Sequence, residues 1–68
     1  MEKLRQSIRA AMRKRGVSPG EFHREVGIGR STLFSLLDES TSAEPSLRTV
    51  RKLRAAGVRI PRELLLSA

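Results

Sequence analysis

Eleven of the 68 residues are arginine, and guanidinium is the functional group that dominates this chain. Arginine forks onto phosphate and onto the O6 and N7 edge of guanine. With three lysines against seven acidic residues, the formal net charge is +7. Residues 1–33 hold eight basic and three acidic groups, a net +5, while residues 34–68 hold six and four, a net +2. Such a charge steers a protein toward a polyanion; the plainer reading is charge kept for solubility. Nucleic acid is favoured over anionic lipid, because no segment pairs a bulky aromatic-rich face with a lysine-rich one. Acid–base chemistry has only His23, Glu21 and Glu25 to draw on, all on one short segment without a nucleophile. Cysteine is absent, which removes a disulfide framework, a zinc-thiolate site and a redox dithiol together. No enzyme, no metal and no cofactor are expected.

The elements that must carry these groups read as helices. Over Glu2 to Arg15, Leu4, Ile8, Ala11 and Met12 recur at helical spacing, with Arg5, Arg9 and Arg13 on the flank. Gly16 ends that helix, and Arg13, Lys14 and Arg15 complement the negative end of its dipole. Ser18 caps a second helix, Pro19 takes its first position and Glu21 follows three residues after the cap. Val17 and Phe22 occupy the staple positions, and the helix runs to about Val26. Gly27-Ile28-Gly29 breaks the chain, and a third helix over about residues 30–37 turns Leu33, Leu36 and Leu37 inward. Residues 38–45 read as a loop. Ser46 caps a fourth helix with Leu47, Val50 and Leu53 at spacing three, ending at Ala56 before Gly57. Pro61 opens a fifth, containing Leu64 and Leu65. The expectation is an all-α fold, one domain over residues 1–68, with five short helices in a compact cluster.

Two short helices joined by a three-residue break form a helix-turn-helix. In that arrangement the first helix braces against the DNA backbone and the second presents its N-terminal residues to the major groove. Gly27 permits the left-handed turn, and Ile28 plugs the angle between the helices.

The stretch GVSPGEFHREVGIGRSTLFSLL resembles the core motif of the lambda-repressor-like, Cro-type (XRE-like) helix-turn-helix proteins of phages, plasmids and bacteria. EPSLRTVRKLRAAGVRIPRELL is similar to that family's fourth and fifth helices, so the likeness covers nearly the whole chain. The resemblance implies a sequence-specific, double-stranded-DNA-binding transcriptional regulator, a repressor, that acts as a homodimer on a palindromic operator. It places Arg30, Ser31, Phe34 and Ser35 against bases and Thr32 near the backbone. Arg30 would read guanine, clamp a phosphate or be solvated; Phe34 would meet a thymine methyl or pack on a neighbouring helix. The serine hydroxyls fit a groove floor and specify weakly.

Departures from the family pattern are informative. Proline at position 19 replaces a glutamine that touches phosphate, leaving that anchor to the backbone N–H groups of Gly20 and Glu21 or to a group elsewhere. Gly29 stands where the recognition helix usually has a serine cap. His23 replaces alanine; a structural role is favoured, a phosphate contact comes second. Met12 and Leu37 stand where the family has an arginine–glutamate pair, a change of both partners that leaves no unpaired charge. Arg48, Arg51 and Lys52 either touch phosphate or solvate a face. The loop carries Asp38, Glu39 and Glu44, which disfavour phosphate contact there except through Ser40, Thr41, Ser42 or backbone N–H groups. Leu65 and Leu66, in the run Leu64-Leu65-Leu66, are the candidate dimer interface. No apolar run approaches the roughly 18 residues of a membrane span, and the first sixteen residues have no signal-peptide core. A cytoplasmic site is expected, in the bacterial cytoplasm or nucleoid or in the host cell for a phage protein. The alternative is an antitoxin, nucleoid or recombination accessory protein that uses the same fold to bind a protein partner.

Overall fold

Three helices stop in the same way. Gly16, Gly27 and Gly57 have φ of 66°, 82° and 94°, the left-handed region that strains any residue with a side chain. The N–H after each glycine donates to a carbonyl five residues back: Val17 to Met12 at 3.1 Å, Ile28 to His23 at 3.1 Å and Val58 to Leu53 at 3.0 Å. This Schellman ending satisfies carbonyls that the helix leaves open. The aliphatic residue after the glycine then turns inward, with Ile28 and Val58 buried and Val17 packed against the core. Each glycine–aliphatic pair thus ends a helix and returns the chain to the interior.

A computed structural model describes residues 2–38, 45–62 and 64 of the chain. Among these residues the protein has four helices, α1 (Glu2–Arg15), α2 (Pro19–Val26), α3 (Arg30–Leu37) and α4 (Leu47–Ala55), and no strand. The fifth helix expected from Pro61 onward runs into residues outside this set. Of the residues described there, Arg62 and Leu64 are helical, and the Leu64 N–H donates to the Pro61 carbonyl at 3.0 Å. The loop residues 39–44 and the candidate interface residues Leu65 and Leu66 also lie outside the described residues. Ser18 Oγ accepts the Glu21 N–H at 3.3 Å to open α2, and Ser46 Oγ accepts the Thr49 N–H at 3.2 Å to open α4. α3 starts at Gly29 without a side-chain cap.

The core takes Leu4, Ile8 and Met12 from α1, Phe22 and Val26 from α2, Leu33 and Leu36 from α3, and Leu53 from α4. α2 packs on α3 and α4, and α1 packs on α3. Each fully buried side chain of this size contributes about 1.5–3 kcal/mol, which weighs heavily in a domain so small. Met12 is buried and Leu37 packs against the same cluster, so both positions of the replaced ion pair serve the apolar core. Arg9 adds a polar link between these helices, its guanidinium reaching the Leu37 carbonyl at 3.5 Å.

Two residues sit elsewhere than their spacing implied. Arg5, expected on the flank of α1, is only 6% exposed, and its Nη1 donates to the Glu2 carboxylate at 2.6 Å. At about 100° per residue it lies only about 20° round the helix from Met12, at the edge of the apolar stripe. Leu47, expected inside, is 42% exposed. A spacing of three slips about 60° per step, so the buried face of α4 is Thr49, Val50 and Leu53, and Leu47 falls beyond it.

Candidate nucleic-acid interface

The turn between α2 and α3 is held from three sides. The Gly27 and Ile28 N–H groups both donate to the His23 carbonyl, at 2.9 and 3.1 Å. The His23 ring, half-buried, hydrogen-bonds the Ile28 carbonyl through Nδ1 at 3.2 Å. A carbonyl only accepts, so Nδ1 carries the proton in that bond. Finally, Lys52 of α4 donates from Nζ to the Gly27 carbonyl at 2.7 Å. The ring is therefore drawn onto the turn rather than swung outward, which accommodates histidine where the resembled family has alanine. The lysine supplies positive charge at the C-terminal end of α2, where the helix dipole favours it.

Past this turn, α3 divides cleanly. Leu33 and Leu36 are buried, and Thr32 and Leu37 are half-buried. Arg30, Ser31 and Phe34 are exposed, with Ser35 half-buried beside them. The four expected base-facing residues thus share the outward side of α3, and Thr32 lies at its border. Phe34 is 43% exposed, and the Arg30 guanidinium carbon lies 5.4 Å from its ring centroid. That is within cation–π range. Phe34 is not part of the buried core, and the arginine one turn before it stands over its ring. Among the described residues no hydrogen bond or ion pair engages Arg30, so the guanidinium edge faces solvent.

The expected backbone-contacting groups separate into engaged and open ones. The Glu21 N–H is taken by Ser18, through both its hydroxyl and its carbonyl. It is therefore not an open donor, which leaves the anchor to Gly20, half-buried on the first turn, or to a group elsewhere. Lys52 is already committed to the Gly27 carbonyl. Arg48 and Arg51 are exposed and, among the described residues, have no ion-pair partner.

Arg15 has a structural role that its place in a basic run did not reveal. Its guanidinium carbon lies 5.6 Å from the Phe22 ring centroid. One nitrogen faces the Glu25 carboxylate at 3.5 Å, and another donates to the Ala56 carbonyl. It joins the ends of α1 and α4 to α2. Beside it, a groove of about 310 Å³ is lined by Ala11, Lys14, Arg15, Ala56 and Gly57. That lining offers cations and small apolar surface, and no carboxylate, hydroxyl or imidazole. Among the described residues no group of three histidine, cysteine or acidic side chains is placed to hold a metal, and no helix is long and apolar enough to cross a membrane. Comparison of the chain with protein-family models, curated proteins and solved structures finds no match.

Proposed function

We propose that this chain is a helix-turn-helix module of the lambda-repressor-like kind that binds double-stranded DNA sequence-specifically, and that it regulates transcription as a repressor. The observation that carries the reading is the outward side of α3. An arginine stacked on an exposed phenylalanine, next to a serine, follows directly on a braced three-residue turn. Arginine matches guanine bidentately and phenylalanine matches the thymine methyl, so this surface has the chemistry of a major-groove reader. The +7 charge supplies the sequence-independent attraction, and the exposed Arg48 and Arg51 are the candidate phosphate contacts on α4. Repression needs no catalytic group: occupation of an operator excludes the polymerase. A homodimer would set two recognition helices roughly 34 Å apart, one turn of duplex, with Leu65 and Leu66 as its proposed contact. Sedimentation equilibrium over a concentration series measures that association.

The direct test is a titration with duplex DNA across salt concentrations. With 6–10 phosphate contacts, affinity falls by about 10³–10⁵ between 50 and 200 mM salt. An affinity that stays flat over that range removes the polyanion reading. In that case binding to a protein partner becomes the better account of the same fold.

A further inference from the structure

We infer that Arg30 and Phe34 act as a single reading head for a guanine and, one or two base pairs away, a pyrimidine that carries a 5-methyl group. This rests on the DNA-binding reading above and specifies what its recognition surface takes.

The geometry of the pair argues for joint use. The two side chains are one helical turn apart, and the guanidinium carbon stands 5.4 Å from the ring centroid. Stacking on the ring restricts a side chain that otherwise loses much rotamer freedom on binding. Because no hydrogen bond or ion pair engages Arg30 among the described residues, its N–H groups stay available for the O6 and N7 of guanine. Phe34 meanwhile remains 43% exposed, so part of the ring is left to meet an apolar group. In the major groove the C5-methyl of thymine is the apolar group on a base edge. A G·C pair carries none, so the methyl must come from another pair. Successive pairs rise about 3.4 Å, and two steps span about 6.8 Å. Heads 5.4 Å apart therefore reach pairs one or two steps from each other. A methylated cytosine presents the same C5-methyl and satisfies the same contact.

The experiment starts from selection of bound duplexes out of a random library by the whole chain at low salt. The enriched sequence should contain a T·A pair at a fixed place within two base pairs of a G·C pair. Anisotropy titrations on that duplex then compare thymine with uracil, which differs by the methyl alone, at each thymine in turn. At one thymine within two pairs of the guanine, uracil should weaken binding about fourfold, the worth of one buried methyl-sized group. At the same position 5-methylcytosine should bind more tightly than cytosine by a similar factor. Phe34→Ala should abolish both differences, and circular dichroism should show it helical, since the ring lies outside the core. Arg30→Ala should relax the choice of guanine. Binding with no thymine–uracil difference at any position overturns the joint-reading inference while leaving DNA binding intact. So does a difference that survives Phe34→Ala. Failure to bind any duplex at low salt overturns the DNA-binding reading itself, and this inference with it.

Discussion

The molecule contains two arginine–phenylalanine pairs of nearly the same geometry and opposite surroundings. Arg15 lies 5.6 Å from Phe22, and Arg30 lies 5.4 Å from Phe34. Phe22 is fully buried, and Arg15 spends its N–H groups on the Glu25 carboxylate and the Ala56 carbonyl. Phe34 is well exposed, and no hydrogen bond engages Arg30 among the described residues. The same chemistry closes a helix junction in one place and presents an unfilled hydrogen-bonding edge in the other. The stacking distance does not separate the two cases; the use of the guanidinium edge does. A guanidinium whose edge is consumed inside the fold holds helices together, and one whose edge is open has binding capacity left over.

The largest expected contrast lies between the two rings. Phe22→Ala should cost about 3–5 kcal/mol, enough to unfold much of the population in a domain of this size. Phe34→Ala should stay within about 0.5 kcal/mol of the parent. Thermal or urea melts followed by circular dichroism give both numbers. Equal losses would mean that Phe34 supports the fold, and the contrast between the pairs would disappear.

The arginines sharpen the same comparison. Arg15→Ala should destabilise by about 1–2 kcal/mol, a charged hydrogen-bonding group reduced by its partial exposure. Arg30→Ala should leave the melt almost unchanged. On DNA the order should invert: losing Arg30 should cost about 1–3 kcal/mol on a preferred duplex and much less on a random one. An equal loss on both duplexes would assign Arg30 to phosphate rather than to a base.

Smaller effects come from the turn that links the brace to the reading side. Gly27→Ala should lose about 1–2 kcal/mol from the left-handed backbone alone, since an added Cβ meets nothing within 4 Å. Gly29→Ser should gain a few tenths of a kcal/mol by capping α3. Its backbone is extended at φ −68°, and an added Cβ would meet Thr32 Oγ1 at an ordinary 3.5 Å. Melting temperatures measure both. A gain at position 29 with unchanged DNA affinity would show that the helix start can be tightened without moving Arg30.

Local grammar was legible in advance wherever a single residue type dictates the backbone. The bounds of α1, α2 and α3 coincide with those expected from Gly16, Ser18, Pro19 and the Gly27-Ile28-Gly29 break, and α4 ends one residue earlier than expected. The inner leucine face of α3 follows from helical spacing, whereas the outward placing of Arg30, Ser31 and Phe34 came from the family resemblance. Less legible were the long-range polar contacts. Lys52 and Gly27 are 25 residues apart, and Arg15 and Ala56 are 41 apart. No periodicity indicates which carbonyl a long cationic side chain will reach. Arg5 was recoverable in part, from its angular closeness to Met12, had its charge not argued for the surface.

Composition, capping residues and apolar spacing by themselves determined that this chain is helical, strongly cationic and interrupted at Gly27-Ile28-Gly29, because those properties depend on backbone preferences within a few residues. Only the tertiary structure decided which of eleven arginines are spent and which are open. A guanidinium ends several bonds from its backbone, and what it meets there depends on where the other helices bring their carbonyls, carboxylates and rings. That assembly buried Arg5, closed Arg15 onto Phe22 and Ala56, and left the Arg30–Phe34 pair of α3 toward solvent.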